Sequence, residues 1–142
     1  MKVFIDTWGW LALGDRKEKR HQEIKAWYST IHLNAGMIYT SDYVLDETFT
    51  LLFRRLDYKK AIHSLESIQD SVNKNFIKII WMNPSRFEKA KELRRKFSDK
   101  PLISFTDLTS MAIMSEFEIN NILTEDSHFL QVGLGFKRIP EN

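Results

Sequence analysis

Short apolar runs alternate along this chain with longer segments of helical periodicity. The runs are rich in β-branched and aromatic residues and occupy residues 2–6, 37–40, 76–81, 121–124 and, more weakly, 136–139. The segments between them repeat apolar residues three and four positions apart, as in Leu45, Phe49, Leu52 and Leu56, which is typical of amphipathic helices. Strands alternating with helices predict an α/β fold, a three-layer α/β/α sandwich with a mostly parallel sheet of roughly five strands.

Composition narrows the class of protein without naming a function. A chain of 142 residues with 43% hydrophobic and 28% charged residues is expected to form a single domain, residues 1–142. Cysteine is absent, which excludes disulfides and thiolate sites and fits the cytoplasm, where we expect the protein. No apolar run is long enough to span a membrane. The net charge of +2 says little about partners.

Several local signals place helix boundaries. The charged stretch Asp15–Arg20 reads as the polar start of a second helix that ends near Asn34. Ser104 or Thr106 is expected to cap a helix that runs to Phe117. We expect His21, His32 and His63 at the surface, because no partner for them is visible in the sequence.

Four acidic residues are placed where such a sheet would gather them. Asp6 ends the first apolar run and Asp126 follows the fourth, while Glu47 and Asp107 lie near the starts of two predicted helices. The carboxyl ends of parallel strands share one edge of the sheet, where ligands bind. Carboxylates crowded there repel each other and stay ionised only around a cation, and oxygen ligands suit Mg²⁺ or Mn²⁺.

Each acid also has an ordinary structural interpretation. Asp6, Asp107 and Asp126 all lie at or just before a helix start, where aspartate accepts hydrogen bonds from free N–H groups. Glu47 could be a solvated helix residue. Capping would be served equally by Ser, Thr or Asn, so acids at all of these positions favour a metal site.

The same residues carry a family resemblance. The motifs are Val-Phe-Ile-Asp-Thr at 3–7, Tyr-Val-Leu-Asp-Glu at 43–47, Ser-Phe-Thr-Asp at 104–107 and Leu-Thr-Glu-Asp-Ser-His-Phe at 123–129. With this order and spacing, the chain resembles a PIN domain over essentially its whole length. Within that group it is similar to VapC-type toxins of prokaryotic toxin–antitoxin pairs. Trp8 departs from the pattern, since many relatives have a small polar residue there.

The resemblance implies a metal-dependent endoribonuclease whose acidic cluster is Asp6, Glu47, Asp107 and Asp126. We hypothesise that Asp6 and Asp107 bind one Mg²⁺ or Mn²⁺ directly, while Glu47 and Asp126 act through waters or hold a second ion. The resemblance also implies a homodimer, and a small cognate antitoxin that covers the acidic cleft.

Candidate RNA-binding residues surround the acids. The basic residues form three clusters that read mostly as solvated helix faces, with Arg54 the exception because it lies two turns along the Glu47 face. Trp8 and Tyr43 flank the site and could stack bases, whereas Trp10 is expected in the core. Candidates for substrate contact are therefore Thr7, Tyr43, Arg54, Thr106 and His128.

Four other functions are alternatives to the nuclease. A receiver-type phosphoacceptor domain would need an acid after the third strand, where the chain reads Trp-Met-Asn-Pro at 81–84. A haloacid-type phosphatase would need a second Asp two residues after Asp6, where the chain has Trp8. A DNA flap nuclease would be expected to carry additional helices. The main alternative is a catalytically silent PIN module that binds RNA or a protein.

Overall fold

The computed structural model describes residues 1–141, and a five-stranded parallel sheet forms its centre. Its strands are β1 (Lys2–Ile5), β2 (Met37–Ser41), β3 (Ile77–Ile80), β4 (Asn121–Leu123) and β5 (Lys137–Ile139). They lie in the order β3-β2-β1-β4-β5, and every adjacent pair is parallel. The predicted α/β fold with about five parallel strands is confirmed.

Six α-helices and one short 3-10 helix connect the described strands. They are α1 (Thr7–Gly14), α2 (His21–Leu33), α3 (Asp42–Arg55), α4 (Tyr58–Asn73), α5 (Pro84–Lys96), α6 (Phe105–Glu116) and the 3-10 helix Ser127–Leu130. Two helices follow each of the first three strands, and the 3-10 helix follows β4. Across residues 1–141, every helix is too short or too polar to be a candidate membrane span.

The central strands are buried on both faces. Val3, Phe4 and Ile5 are consecutive residues of β1, so their side chains point alternately to opposite faces, yet all three are 0% exposed. Ile122 and Leu123 of β4 are buried to the same extent. Strands covered on both faces read as continuous apolar runs, which is why the sequence pattern revealed them.

The direction of strand progression reverses between β1 and β4. From β1 the chain adds β2 and β3 on one side, and it adds β4 and β5 on the other. Ile5 of β1 is in register with Leu123 of β4, so Asp6 and Thr124 leave the sheet side by side at its carboxyl edge. Open parallel sheets bind ligands at this kind of switch point.

Side-chain hydrogen bonds cap the helices that start at this edge. Asp6 is the N-cap of α1 and accepts a hydrogen bond from the N–H of Gly9, while Asp126 caps the 3-10 helix by accepting from the N–H of His128. Ser104, one of the two predicted candidates, caps α6 by accepting from the N–H of Asp107. Asp6 and Asp126 therefore do cap helices, as their ordinary structural interpretation predicts.

The predicted start of the second helix is wrong. Helix α2 begins at His21, and residues 15–20 form turns. The Asp15 carboxylate accepts a hydrogen bond from the N–H of Lys17, a local bond that competes with helix formation. His21 is also buried rather than at the surface. Its ring is tolerated there because Nδ1 has a polar partner, the carbonyl oxygen of Ala12 at 2.6 Å.

Candidate active site

Asp6 is the most deeply buried acid at the carboxyl edge, with 6% of its surface exposed. Its Oδ1 accepts a hydrogen bond from the N–H of Gly9, and its Oδ2 accepts one from the hydroxyl of Thr124. The same hydroxyl accepts a hydrogen bond of 2.9 Å from the N–H of Asp126. One threonine therefore links the ends of β1 and β4 and fixes both aspartates relative to each other.

Asp107, Asp126 and His128 form a compact group beside Asp6. One potential ligand atom from each of the three lies within 4.8 Å of the others. The Nδ1 atom of His128 is 3.1 Å from Oδ1 of Asp126 and 3.6 Å from Oδ2 of Asp107. All three residues are partly buried, so the group is open to solvent on one side.

Burial and mutual repulsion change the acidity of this group. The pKa of Asp6 is raised to about 7, mainly by burial and in part by the charges of Asp107 and Asp126, while its hydrogen bonds to Thr124 and Gly9 oppose the shift. Burial also raises the pKa of Asp107 to about 6, helped by the charge of Asp126 and opposed by His128. Without a cation the pocket holds protons near neutral pH, as expected for crowded carboxylates.

Glu47 lies to one side of this group rather than inside it. It is exposed on α3, and it lines a depression of about 440 Å³ together with the predicted substrate-binding residues Tyr43, Arg54 and Thr106. Thr106 precedes Asp107 in α6, so the depression adjoins the acids. The structure thus brings Asp6, Asp107 and Asp126 together and places Glu47 at the neighbouring surface.

The remaining predicted residues are found on both sides of the acids. Thr7 is the first residue of α1 and is half-buried next to Asp6. His128 lies beside two of the acids, with its Nδ1 atom close to Asp126 and Asp107. Trp10 is in the core as predicted, with 3% exposure and its indole N–H donated to Thr40.

Thr124 was not predicted from the sequence as part of the candidate site. Its side chain is completely buried at the end of β4, two residues before Asp126. The available signal was a hydroxyl residue that directly follows a buried strand and precedes an acid. The sequence shows that order of residues but does not show that the hydroxyl reaches across to β1.

Several basic side chains on the predicted helix faces already have partners. Arg55 pairs with Glu18, and Lys91 pairs with Glu88. Arg94 donates to three backbone carbonyls of the segment 97–103 that leads into α6. Within residues 1–141, Arg54 has no salt bridge or side-chain hydrogen bond, which distinguishes it from these residues.

The donor set at the edge suits a divalent cation. Two carboxylates and an imidazole converge within coordination range, and a third carboxylate lies close enough to be disturbed by their charge. Carboxylate oxygens are the usual protein ligands of Mg²⁺ and Mn²⁺. A cation here would also relieve the repulsion that raises the pKa values of Asp6 and Asp107.

The comparison with family models agrees with this arrangement. A family model described as the PIN domain matches residues 3–134, a range that includes Asp6, Glu47, Asp107 and Asp126. The chain belongs to the PIN domain family.

A relative of this chain has a stated activity. The chain is 29% identical over 131 residues to the 23S rRNA-specific endonuclease VapC20 of Mycobacterium tuberculosis, covering 92% of this chain and 94% of the relative. The crystal structure of that protein, named as a sarcin-ricin loop cleaving toxin, superimposes with a TM-score of 0.77 at 27% identity. The match covers 92% of this chain and 95% of the other.

Two more distant structures show that the fold is shared. VapBC2 from Rickettsia felis, bound to a DNA fragment from its promoter, matches with a TM-score of 0.73 at 14% identity, covering 97% of each chain. FitAcB from Neisseria gonorrhoeae matches with a TM-score of 0.63 at 16% identity, covering 92% of this chain and 91% of the other.

Proposed function

We propose that this PIN-domain protein is a metal-dependent endoribonuclease that hydrolyses RNA phosphodiester bonds, and that it is the toxin of a VapBC-type toxin–antitoxin pair. The observation that supports this most strongly is the convergence of Asp6, Asp107 and Asp126 at the β1/β4 switch point, three carboxylates whose repulsion calls for a cation. Similarity to VapC20 supports RNA as the substrate.

We assign the metal to the acids at the edge. Asp107 and Asp126 would hold Mg²⁺ or Mn²⁺, with His128 as an adjacent nitrogen donor. Asp6 remains a proposed direct ligand because each of its oxygens keeps a lone pair beyond the hydrogen bond that it accepts. When bound, such an ion makes a coordinated water more acidic and neutralises charge that develops on the phosphate.

The protein side chains have separate tasks in this proposal. Thr124 and the N–H of Gly9 hold the Asp6 carboxylate in one orientation. Glu47 would act through water at the neighbouring depression, where Arg54 would bind a phosphate of the RNA. Thr7, Tyr43, Thr106 and His128 complete the proposed substrate surface around the acids.

Two protein partners follow from the VapC-like assignment. We propose a cognate antitoxin that covers the acidic cleft, a role consistent with the toxin–antitoxin neighbours among the matched structures. We also propose a homodimer. Co-purification of the chain with the product of an adjacent reading frame tests the first proposal, and light scattering of the purified chain tests the second.

The decisive experiment compares the parent with Asp6→Asn in growing cells, followed by sequencing of RNA ends. We expect growth arrest and new RNA ends with the parent alone, and ribosomal RNA is the first substrate to inspect because the relative acts on 23S rRNA. Asp70→Asn is the matched control, since Asp70 is a solvent-exposed acid that pairs with Lys74 on α4.

Cleavage in vitro then tests the role of the metal. RNA cut by the purified parent should survive when a chelator is added and should be cut again when Mg²⁺ or Mn²⁺ is restored. Cleavage that persists in chelator would refute the metal assignment. RNA binding without cleavage under all of these conditions would favour the catalytically silent PIN module instead.

A further inference from the structure

A tryptophan and an arginine form a pair at the mouth of the acidic site. Trp8 lies in the first turn of α1, two residues after Asp6. The guanidinium carbon of Arg20 lies over the Trp8 ring, 5.7 Å from its centroid. This distance is within the range of a cation–π contact, so the two planar groups form one surface next to the acids.

Arg20 is held in place from its other side. Its Nε and Nη2 atoms donate to the two oxygens of Glu23 at 2.7 and 3.0 Å. The hydrogen bond to Glu23 raises the pKa of the guanidinium, and the charges of Glu23 and of Glu125, the neighbour of Asp126, raise it as well. The pair therefore lies between the start of α1 and the loop that carries Asp126.

Trp8 differs from Trp10 in its exposure and in the hydrogen bonding of its indole N–H. Trp10 is 3% exposed and its indole N–H is satisfied by Thr40. Trp8 is only partly buried, and within residues 1–141 its indole N–H and the Nη1 atom of Arg20 have no protein acceptor. Trp8 packs against the core and lies under Arg20, so the exposed part of the ring and the two unused donors remain available beside the acids.

We propose that Trp8 and Arg20 form a subsite for one unpaired nucleotide of the substrate, next to the phosphate that is cut. The exposed surface of the pair stacks on the base, and Nη1 of Arg20 donates to that nucleotide's phosphate. Stacking on aromatic and guanidinium planes is how proteins bind unstacked RNA bases. This inference rests on the proposed ribonuclease function and specifies its substrate as RNA that is single-stranded at the cleavage site.

The test measures binding separately from cleavage. Fluorescence anisotropy is recorded with a labelled single-stranded oligoadenylate and with an abasic ribose-phosphate strand of the same length, both in an Asp107→Asn background. We expect Trp8→Ala to weaken oligoadenylate binding about tenfold, as for loss of one base stack. Binding of the abasic strand should be unchanged, and Trp8→Phe should retain most of the affinity.

Controls separate stacking from folding. Trp81→Ala removes a tryptophan that is 62% exposed at the end of β3, and it should leave binding unchanged. Trp8→Leu keeps an apolar side chain without an aromatic face, so a folded Trp8→Leu protein should also lose about tenfold in oligoadenylate affinity. Equal losses of affinity for oligoadenylate and for the abasic strand would overturn the stacking role. So would unchanged affinity for both strands.

The role of Arg20 is tested by measuring how RNA affinity depends on salt concentration. Arg20→Gln should reduce the slope of log affinity against log salt by about 0.7, the value for one phosphate contact on a single strand. Arg55→Gln, which removes a guanidinium paired with Glu18, should leave the slope unchanged. An unchanged slope in Arg20→Gln would overturn the phosphate contact.

The outcomes distinguish this inference from the proposed function. A parent protein that cleaves RNA while Trp8→Ala binds normally contradicts only the subsite. A parent that never cleaves, although its RNA binding depends on Trp8, contradicts only the nuclease. Absence of any RNA binding overturns the subsite as well.

Discussion

Asp6 shows how a residue that we propose as a metal ligand can oppose stability. Its carboxylate is buried beside two other acids, and its pKa is raised to about 7 mainly by that burial. Near neutral pH the metal-free protein must either keep a proton on Asp6 or hold a poorly solvated charge. Asparagine has nearly the same shape and no charge, so it removes this cost together with the proposed metal ligand.

We therefore predict opposite effects of Asp6→Asn on activity and stability. Cleavage should fall at least a hundredfold, whereas the metal-free variant at pH 7.5 should melt at the same temperature as the parent or higher. Calorimetry without metal and cleavage assays with Mg²⁺ measure the two effects. A variant that loses both folding and activity would contradict this assignment.

A second prediction about a single residue concerns Thr124, because its hydroxyl contacts both Asp6 and Asp126. Thr124→Val keeps the shape but leaves the N–H of Asp126 without its acceptor, which should cost about 1–3 kcal/mol of unfolding free energy. Mn²⁺ affinity, measured by electron paramagnetic resonance, should fall as well, because Asp6 is no longer held. Thr124→Ser should restore both quantities. Normal Mn²⁺ affinity in Thr124→Val would show that the hydroxyl does not position the acids.

At the scale of elements, the close approach of α1 to the sheet decides where Asp6 points. A Cβ atom on Gly9 would lie 2.8 Å from the carbonyl oxygen of Leu123 and 2.8 Å from Cγ2 of Ile5. Backbone cannot move away as easily as a side chain can, so only glycine lets the first turn of α1 pack against the end of β4. The N–H of the same residue donates to Asp6.

We predict that Gly9→Ala lowers the unfolding free energy by about 1–3 kcal/mol, the usual cost of overpacking, and also weakens cleavage. Gly14→Ala is the matched control on the same helix. There the nearest atoms belong to the side chains of Leu52 and Ser64 at 3.2 Å, so the loss should be smaller. Urea denaturation of both variants makes the comparison, and equal losses would contradict the argument.

Elements were predictable from sequence where the signal was local or periodic. The runs at 2–6 and 121–124 identified β1 and β4, and the spacing of Leu45, Phe49 and Leu52 identified α3, because burial imposes those patterns. The predicted start of α2 was wrong, because the Asp15 carboxylate accepts a hydrogen bond from the N–H of Lys17 and no helix forms there.

The site was predictable only in part, for a different physical reason. Its acids were found because parallel strands deliver their carboxyl ends to one edge. The bridge from Thr124 to Asp6 and the proximity of His128 to Asp107 depend on contacts between segments that are distant in the sequence. No local pattern in the sequence records such contacts.

For the whole molecule, the acidic group makes stability depend on pH and metal together. Asp6 and Asp107 have pKa values raised from 3.8 to about 7 and about 6. Between pH 4 and these values the folded protein therefore binds more protons than the unfolded chain. Stability of the metal-free protein must then fall as the pH rises through that window.

We predict that the melting temperature of the metal-free parent decreases from about pH 4 to about pH 7 relative to that of Asp6→Asn, which should change less. Mg²⁺ or Mn²⁺ should raise the melting temperature at pH 7 and have little effect at pH 4, where protons occupy the acids. Scanning calorimetry across this range makes the measurement. A metal effect that is equal at both pH values would contradict the proposed site.

The partnership between β1 and β4 also bears on synthesis of the protein. Asp6 leaves the ribosome early, whereas Thr124 and Asp126 follow 118 and 120 residues later. Until β4 has emerged and inserted beside β1, the nascent chain lacks half of its acidic pocket. A nascent chain therefore cannot form the acidic site until the residues of β4 and of the loop after it have been translated.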